Sequence, residues 1–310
     1  MLSIYNPRDL TYPEDVFDAF EGALSTFGSS FPGGFISGLP RMFFDASLLW
    51  QPYSPIMRRR IPVKNREENI PSWSWAGFQG DVYSEEWLAN CNCTLEDWNM
   101  GWEAADVVHT TDWLYSETLH GARESVAPEY AGMDPRNDPA WTQQTDELDG
   151  TAYFVHKRVP GQRFLYPIRI NDRLRSEGLP VPIRARYLHA SAKISRSLHI
   201  DEVVGQRTGV HPLGSTVMLR DKRGNWAGYV RPMHDEDFEN IWGVDTECEL
   251  VELSRSEVKN MGCFFLSRRG RMVNVMRVKR EQGVYRRLGV GRIEEKVWDM
   301  VARTEDVTIG

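Results

Sequence analysis

From residue 188 onward the chain is built of short runs in which apolar and polar residues alternate. That period of two constrains the fold more than any other feature of the sequence. Leu188, Ala190, Ala192 and Ile194 alternate with His189, Ser191, Lys193 and Ser195. Val217 and Leu219 lead into Asp221-Lys222-Arg223-Gly224-Asn225, a turn signal, and residues 226–230 read as the returning strand of a hairpin. Further strands are expected at 248–253, 264–266, 273–278 and 284–289, spaced closely enough for an antiparallel sheet or sandwich. Ile293, Val297, Trp298 and Val301 then predict a helix that closes the chain.

The first eighty residues follow other periods. Thr11 and Glu14 stand in capping-box spacing, and Val16, Phe17, Phe20, Ala23, Leu24 and Phe27 recur as one helical face until Gly28, Pro32, Gly33 and Gly34 end it. Phe44, Ala46, Leu48 and Trp50 alternate between Pro40 and Pro52, which favours a strand, with a short helix as the competing reading. In residues 71–78 a further strand would put Trp73, Trp75 and Gly77 on one face. Two tryptophans so spaced can stack on a sugar or a base, but large aromatics more often fill a core, and a core role is the reading adopted. The expected fold is α+β: an N-terminal helix and a tryptophan-bearing strand packed on a mainly antiparallel sheet of residues 185–290, with a C-terminal helix.

Charge divides the chain into regions. The net charge is -7, yet residues 81–150 hold sixteen acidic and two basic side chains, so the remainder is cationic. The expected organisation is a helix and tryptophan block at 1–80, an acidic insertion at 81–150 that is flexible from about 121, and a β region at 151–310 sharing one core with 1–80. An acidic chain is a poor partner for nucleic acid. The seven basic residues from Arg271 to Arg292 alternate with Val273, Val275, Val278 and Tyr285, as on the solvent face of a strand pair. No apolar run is long enough to span a membrane and no signal peptide is evident, so a cytoplasmic protein is expected, its four cysteines reduced.

Motifs for chemistry are sought without success. Gly34-Phe35-Ile36-Ser37-Gly38 lacks the spacing of a nucleophile elbow. Gly289-x-Gly291 lacks the third glycine and the βα unit of a dinucleotide site, and no phosphate loop is present. Cys91-x-Cys93 with His109 and His120 is one residue short of a zinc knuckle and has no second pair. His234, Asp235, Glu236 and Asp237 gather acid-base groups, but an exposed acidic turn is the simpler account. No catalytic, cofactor-binding or metal-binding residue is therefore assigned, and the expectation is a protein that is not an enzyme and needs no cofactor.

Four blocks carry a resemblance. Residues 15–24, 31–40, 43–52 and 71–80 match, in order, the patterns "DxxxAFxGxL", "FPGGFxxGLP", "FFDxxLLWQP" and "PSWSWxGxxG". This arrangement resembles the region that follows the HET domain in fungal heterokaryon incompatibility proteins. Val273-Asn274-Val275-Met276 and the run from Gly283 to Arg292 are similar to that family's closing segment, although Val273, Arg277 and Arg280 depart from its pattern. The HET domain itself has no counterpart in this sequence, so its NAD-cleaving or death-triggering chemistry is not carried over. Either the upstream part is absent from this sequence or the chain is a shortened relative. The resemblance implies a non-catalytic recognition or regulatory region in nonself response and cell death, with a HET domain or a second copy of the chain as partner. The rivals are a carbohydrate or small-ligand β module and an unrecognised hydrolase.

Overall fold

The computed structural model describes residues 5–12, 15–28, 31, 33–52, 56–59, 70–83, 106–126, 139–146, 152–161, 163, 181–204, 216–233, 241–258 and 270–310. Ten strands form its main sheet: β1 Asp106–His109, β2 Leu114–Ser116, β3 Glu124–Ser125, β4 Tyr187–Val204, β5 Thr216–Arg220, β6 Trp226–Pro232, β7 Glu247–Val258, β8 Gly270–Glu281, β9 Val284–Glu294 and β10 Arg303–Ile309. The large antiparallel sheet expected from the period of two is present, and six of its strands close on themselves. β4 pairs with β5, β5 with β6, β6 with β9, β9 with β8, β8 with β7, and β7 returns to β4, each antiparallel. Closure removes the unpaired edges of the ring.

Alternation along these strands sends one set of side chains inside. Leu198, Ile200, Val217, Leu219, Ala227, Val230, Leu250, Val273, Val275 and Ile293 make one buried cluster. The hairpin at 221–225 forms as the sequence indicates. The Asp221 Oδ1 accepts from the backbone N–H of Arg223 at 2.8 Å and of Asn225 at 2.9 Å, and Gly224 takes φ 81°. β4 is long enough to pair with different strands along its two halves. Its first half pairs with β10 and β2, and register shifts between Ser195 and Leu198 and between Ile200 and Glu202 accompany its passage into the barrel.

Among the described residues three α-helices sit on this frame: α1 Val16–Gly28, α2 Phe44–Ser47 and α3 Glu295–Val301. The buried face of α1 is Val16, Phe20 and Leu24, and the Phe20 ring meets the Trp75 ring edge-on at 5.6 Å. From α3, Val297 and Trp298 enter the barrel cluster, and the Trp298 Nε1 donates to the Glu252 Oε2 at 2.6 Å. Arg255 binds Glu252, Glu295 and Asp299, tying α3 to β7. The chain does not end on that helix, because β10 follows and joins the sheet.

Several expectations are corrected. Residues 44–47 form a helical turn after a 3-10 turn at Arg41–Phe43, so the competing reading is the right one there. Phe44, Ala46, Ser47, Leu48, Leu49 and Trp50 are all buried, and burial on every side erases the contrast on which an alternation argument depends. Trp75–Gly77 is a 3-10 turn, not strand, capped by the Ser74 hydroxyl, which accepts from the Ala76 N–H at 3.1 Å. Trp73 and Trp75 are nonetheless buried, as a core role requires. Arg277 and Arg287 do not face solvent, being 4% and 3% exposed. Within the acidic insertion, Trp113 and Tyr115 join the core shared by α1 and the outer face of the barrel. Trp141–Thr145 pairs with Ala152–His156 as a hairpin. Residues 84–105, 127–138 and 147–150, and the strand expected at 264–266, lie outside the described residues.

Candidate functional site

The quoted blocks meet at one junction beside the barrel. Tryptophans and serines alternate in Ser72-Trp73-Ser74-Trp75, and the two residue types have separate tasks. The tryptophans fill volume while their indole N–H groups reach backbone carbonyls: Trp73 Nε1 donates to Arg186 at 3.2 Å, and Trp75 Nε1 to Gly38 at 3.1 Å. Trp50 Nε1 donates in turn to the Trp73 carbonyl at 2.9 Å. The Ser74 hydroxyl donates to the Ser37 carbonyl at 2.7 Å, and the Ser37 hydroxyl donates to the Ala185 carbonyl at 2.6 Å. Gly38 has φ 82°, and a Cβ there would stand 2.7 Å from the Trp75 ring. The glycine of the second block is thus fixed by the tryptophan of the fourth.

The barrel is stitched to the same junction. The Ser72 hydroxyl donates to the Gly310 carbonyl and accepts from the Arg287 N–H at 2.9 Å. The Arg287 guanidinium lies 3.9 Å from the Trp50 ring centroid and donates to the carbonyls of Leu48, at 2.8 Å, and Trp50. Among the described residues its neighbours supply no carboxylate, and burial holds its pKa well below the usual arginine range.

The sequence candidates fare as follows. Ser37 is buried at 1% exposure in a strained turn with φ 45°, its hydroxyl committed to Ala185, so it presents no nucleophile. Gly289 and Gly291 lie within β9 against β6, where a Cβ at Gly291 would meet the Tyr229 carbonyl oxygen at 1.9 Å. Close strand approach explains them without a phosphate. Cys91, Cys93 and the group from His234 to Asp237 lie outside the described residues. Among the described residues no group of three or more His, Cys, Asp or Glu is placed to hold a metal ion. His109 sits between Asp45, at 2.6 Å, and Asp112, at 2.9 Å. The hydrogen bond that its Nδ1 donates to Asp45 is the main cause that raises its pKa to about 9, so it is charged at neutral pH and is a salt link, not a base.

One constellation was invisible in the sequence. His189 on β4 contacts the Ser116 Oγ through Nε2 at 2.8 Å and the Thr308 Oγ1 through Nδ1 at 3.0 Å. These residues resemble the makings of a nucleophilic triad, but the proton positions oppose it. The single Ser116 hydroxyl proton goes to the Thr118 carbonyl at 2.7 Å, so the 2.8 Å contact requires Nε2 to carry the ring proton. A general base needs the reverse arrangement, with a carboxylate behind the ring. Desolvation by burial lowers the His189 pKa to about 4, leaving the ring neutral. No spacing rule could have found three residues 73 and 119 positions apart. Their geometry closes the sheet between β2, β4 and β10. Comparison with models of known families, with curated proteins and with solved structures finds no match.

Proposed function

We propose that this chain is a non-catalytic recognition or regulatory region of a heterokaryon-incompatibility-like protein, acting in the cytoplasm through protein contacts in fungal nonself response. One observation carries the reading: the residues that bear the resemblance depend on one another in three dimensions. Gly38 and Ser37 of the second block, Trp50 of the third and Trp73, Ser74 and Trp75 of the fourth form a single interlocked junction. A shared pattern is what such an interlock would impose on related chains, since no block can change without the others. The partner proposed is a HET domain or a second copy of this chain.

The rival built on exposed tryptophans lacks support among the described residues, where Trp50, Trp73, Trp75, Trp113, Trp141, Trp242 and Trp298 are buried and Trp226 is half-buried. The hydrolase rival rests on His234 and its neighbouring carboxylates, which lie outside the described residues, and the Ser116–His189 contact supplies no nucleophile and base in their place.

Fusing the chain behind a HET domain of a fungal incompatibility protein, and scoring growth arrest of expressing cells against the HET domain alone, tests the proposal. A changed threshold or strength of arrest is expected, and identical arrest with and without the chain overturns it. The purified chain incubated with NAD should release no nicotinamide by chromatography. Release that disappears on substituting one of its own residues would overturn the non-catalytic part.

A further inference from the structure

The register sets Arg277 of β8 opposite Leu250 of β7 and Gly289 of β9, at the barrel end away from α3. Its neighbours Trp242 and Cys248 both belong to the barrel's interior cluster. The guanidinium lies 3.9 Å from the Trp242 ring centroid, and its Nη2 donates to the Ile241 carbonyl at 2.5 Å. Among the described residues, the buried Nε and Nη1 donors meet no acceptor and no carboxylate. The Cys248 thiol, pushed up to about 11 by burial, stays neutral and supplies no counter-charge.

Arg287 makes the contrast plain. It too is buried and stacked on a tryptophan, with its Nε likewise unmet, but both of its Nη groups reach carbonyls. Arg277 has one carbonyl and two idle nitrogens. A buried guanidinium is costly when its donors go unmet and no opposite charge is near. The acceptors that suit planar, permanently charged N–H groups best are oxyanions.

We propose that Arg277, backed by the Trp242 ring, is the anchor of an anion-binding site at this end of the barrel, taking a small oxyanion of the carboxylate or phosphate class. The site is independent of the incompatibility reading.

The full chain, labelled with nitrogen-15 at arginine, is titrated with sodium phosphate and separately with sodium acetate at constant ionic strength, and the arginine Nε–H resonances are followed. The Arg277 resonance is the one missing from the spectrum of Arg277→Met, or of Arg277→Lys where the methionine variant does not fold. The expected result is a saturable shift of that resonance with phosphate or with acetate, together with a Tm that rises with the same anion. The anion that acts identifies the class, and Arg277→Lys should bind it about tenfold more weakly because a point charge replaces the planar donors. No saturable shift with either anion, or an equal rise in Tm in the Arg277 variant, overturns the site.

Discussion

The barrel and the N-terminal block solve one problem in two ways. Every buried backbone N–H and C=O needs a partner. In the barrel the partners are neighbouring strands, so side chains are free to be aliphatic, and the interior is mostly valine, leucine and isoleucine. After α1, the described residues of the block up to Gly80 hold short turns, the four-residue α2 and two-residue strand pairs, and many carbonyls there are met by side chains. Arg41 binds Val126 and Ser125, Arg58 binds Pro71, Gly77 and Ile70, Arg59 binds Phe78 and Asn6, and Arg287 reaches in from the barrel. Irregular backbone in a core thus gives these arginines carbonyls to meet. It also makes the block more sensitive to single residues, since each polar side chain closes a specific gap.

The tryptophans offer the hardest test of that contrast. Trp73→Ala and Trp75→Ala should each destabilise by about 3 to 5 kcal/mol in chemical denaturation, a large part of any domain's stability. Unchanged melting of both variants would remove the junction from the core. Gly38→Ala comes next: with a left-handed backbone and the Trp75 ring 2.7 Å from the new methyl, a loss of about 1 to 3 kcal/mol is expected. Arg287→Met removes the partners of two buried carbonyls and should cost about 1 to 3 kcal/mol, whereas a stabilised variant would show that the stitching is dispensable.

Two histidines sharpen the comparison through pH. His189, between strands, has its pKa lowered from 6.5 to about 4 by burial. The unfolded chain therefore binds the proton first, and the His189 contribution, full above pH 6.5, is lost as pH falls toward 4. His109, which links α2 to β1, has its pKa raised to about 9. Its contribution is full below pH 6.5 and is lost as pH rises through 9. Tm against pH should then fall on both sides, with His189→Gln flattening the acid limb and His109→Gln the alkaline one. A limb that does not respond to its own substitution refutes the assignment of that histidine. The smallest effect is a gain: Gly22, mid-helix in α1 with nothing within 4 Å of a new methyl, should stabilise by about 0.5 to 1 kcal/mol as alanine.

What the sequence by itself determined is the part governed by local period. The strands at 188–195, 217–230, 248–253, 273–278 and 284–289, the hairpin at Asp221, and the buried face Val16, Phe20 and Leu24 of α1 were all legible from apolar period, β-branched residues and turn signals, even though 273–278 is buried on both faces. The burial of Trp73 and Trp75 was legible too, from size and composition. Residues 44–50 were misread because burial on all sides leaves no contrast to read. Only the tertiary structure decided that six strands close into a ring, since closure depends on pairings such as β7 with β4 and β6 with β9 that no local pattern encodes. It also decided the place of Arg277 and Arg287. A charged residue in an alternating run signals a solvent face unless the fold brings a carbonyl or a ring to it, and those partners come from distant parts of the chain.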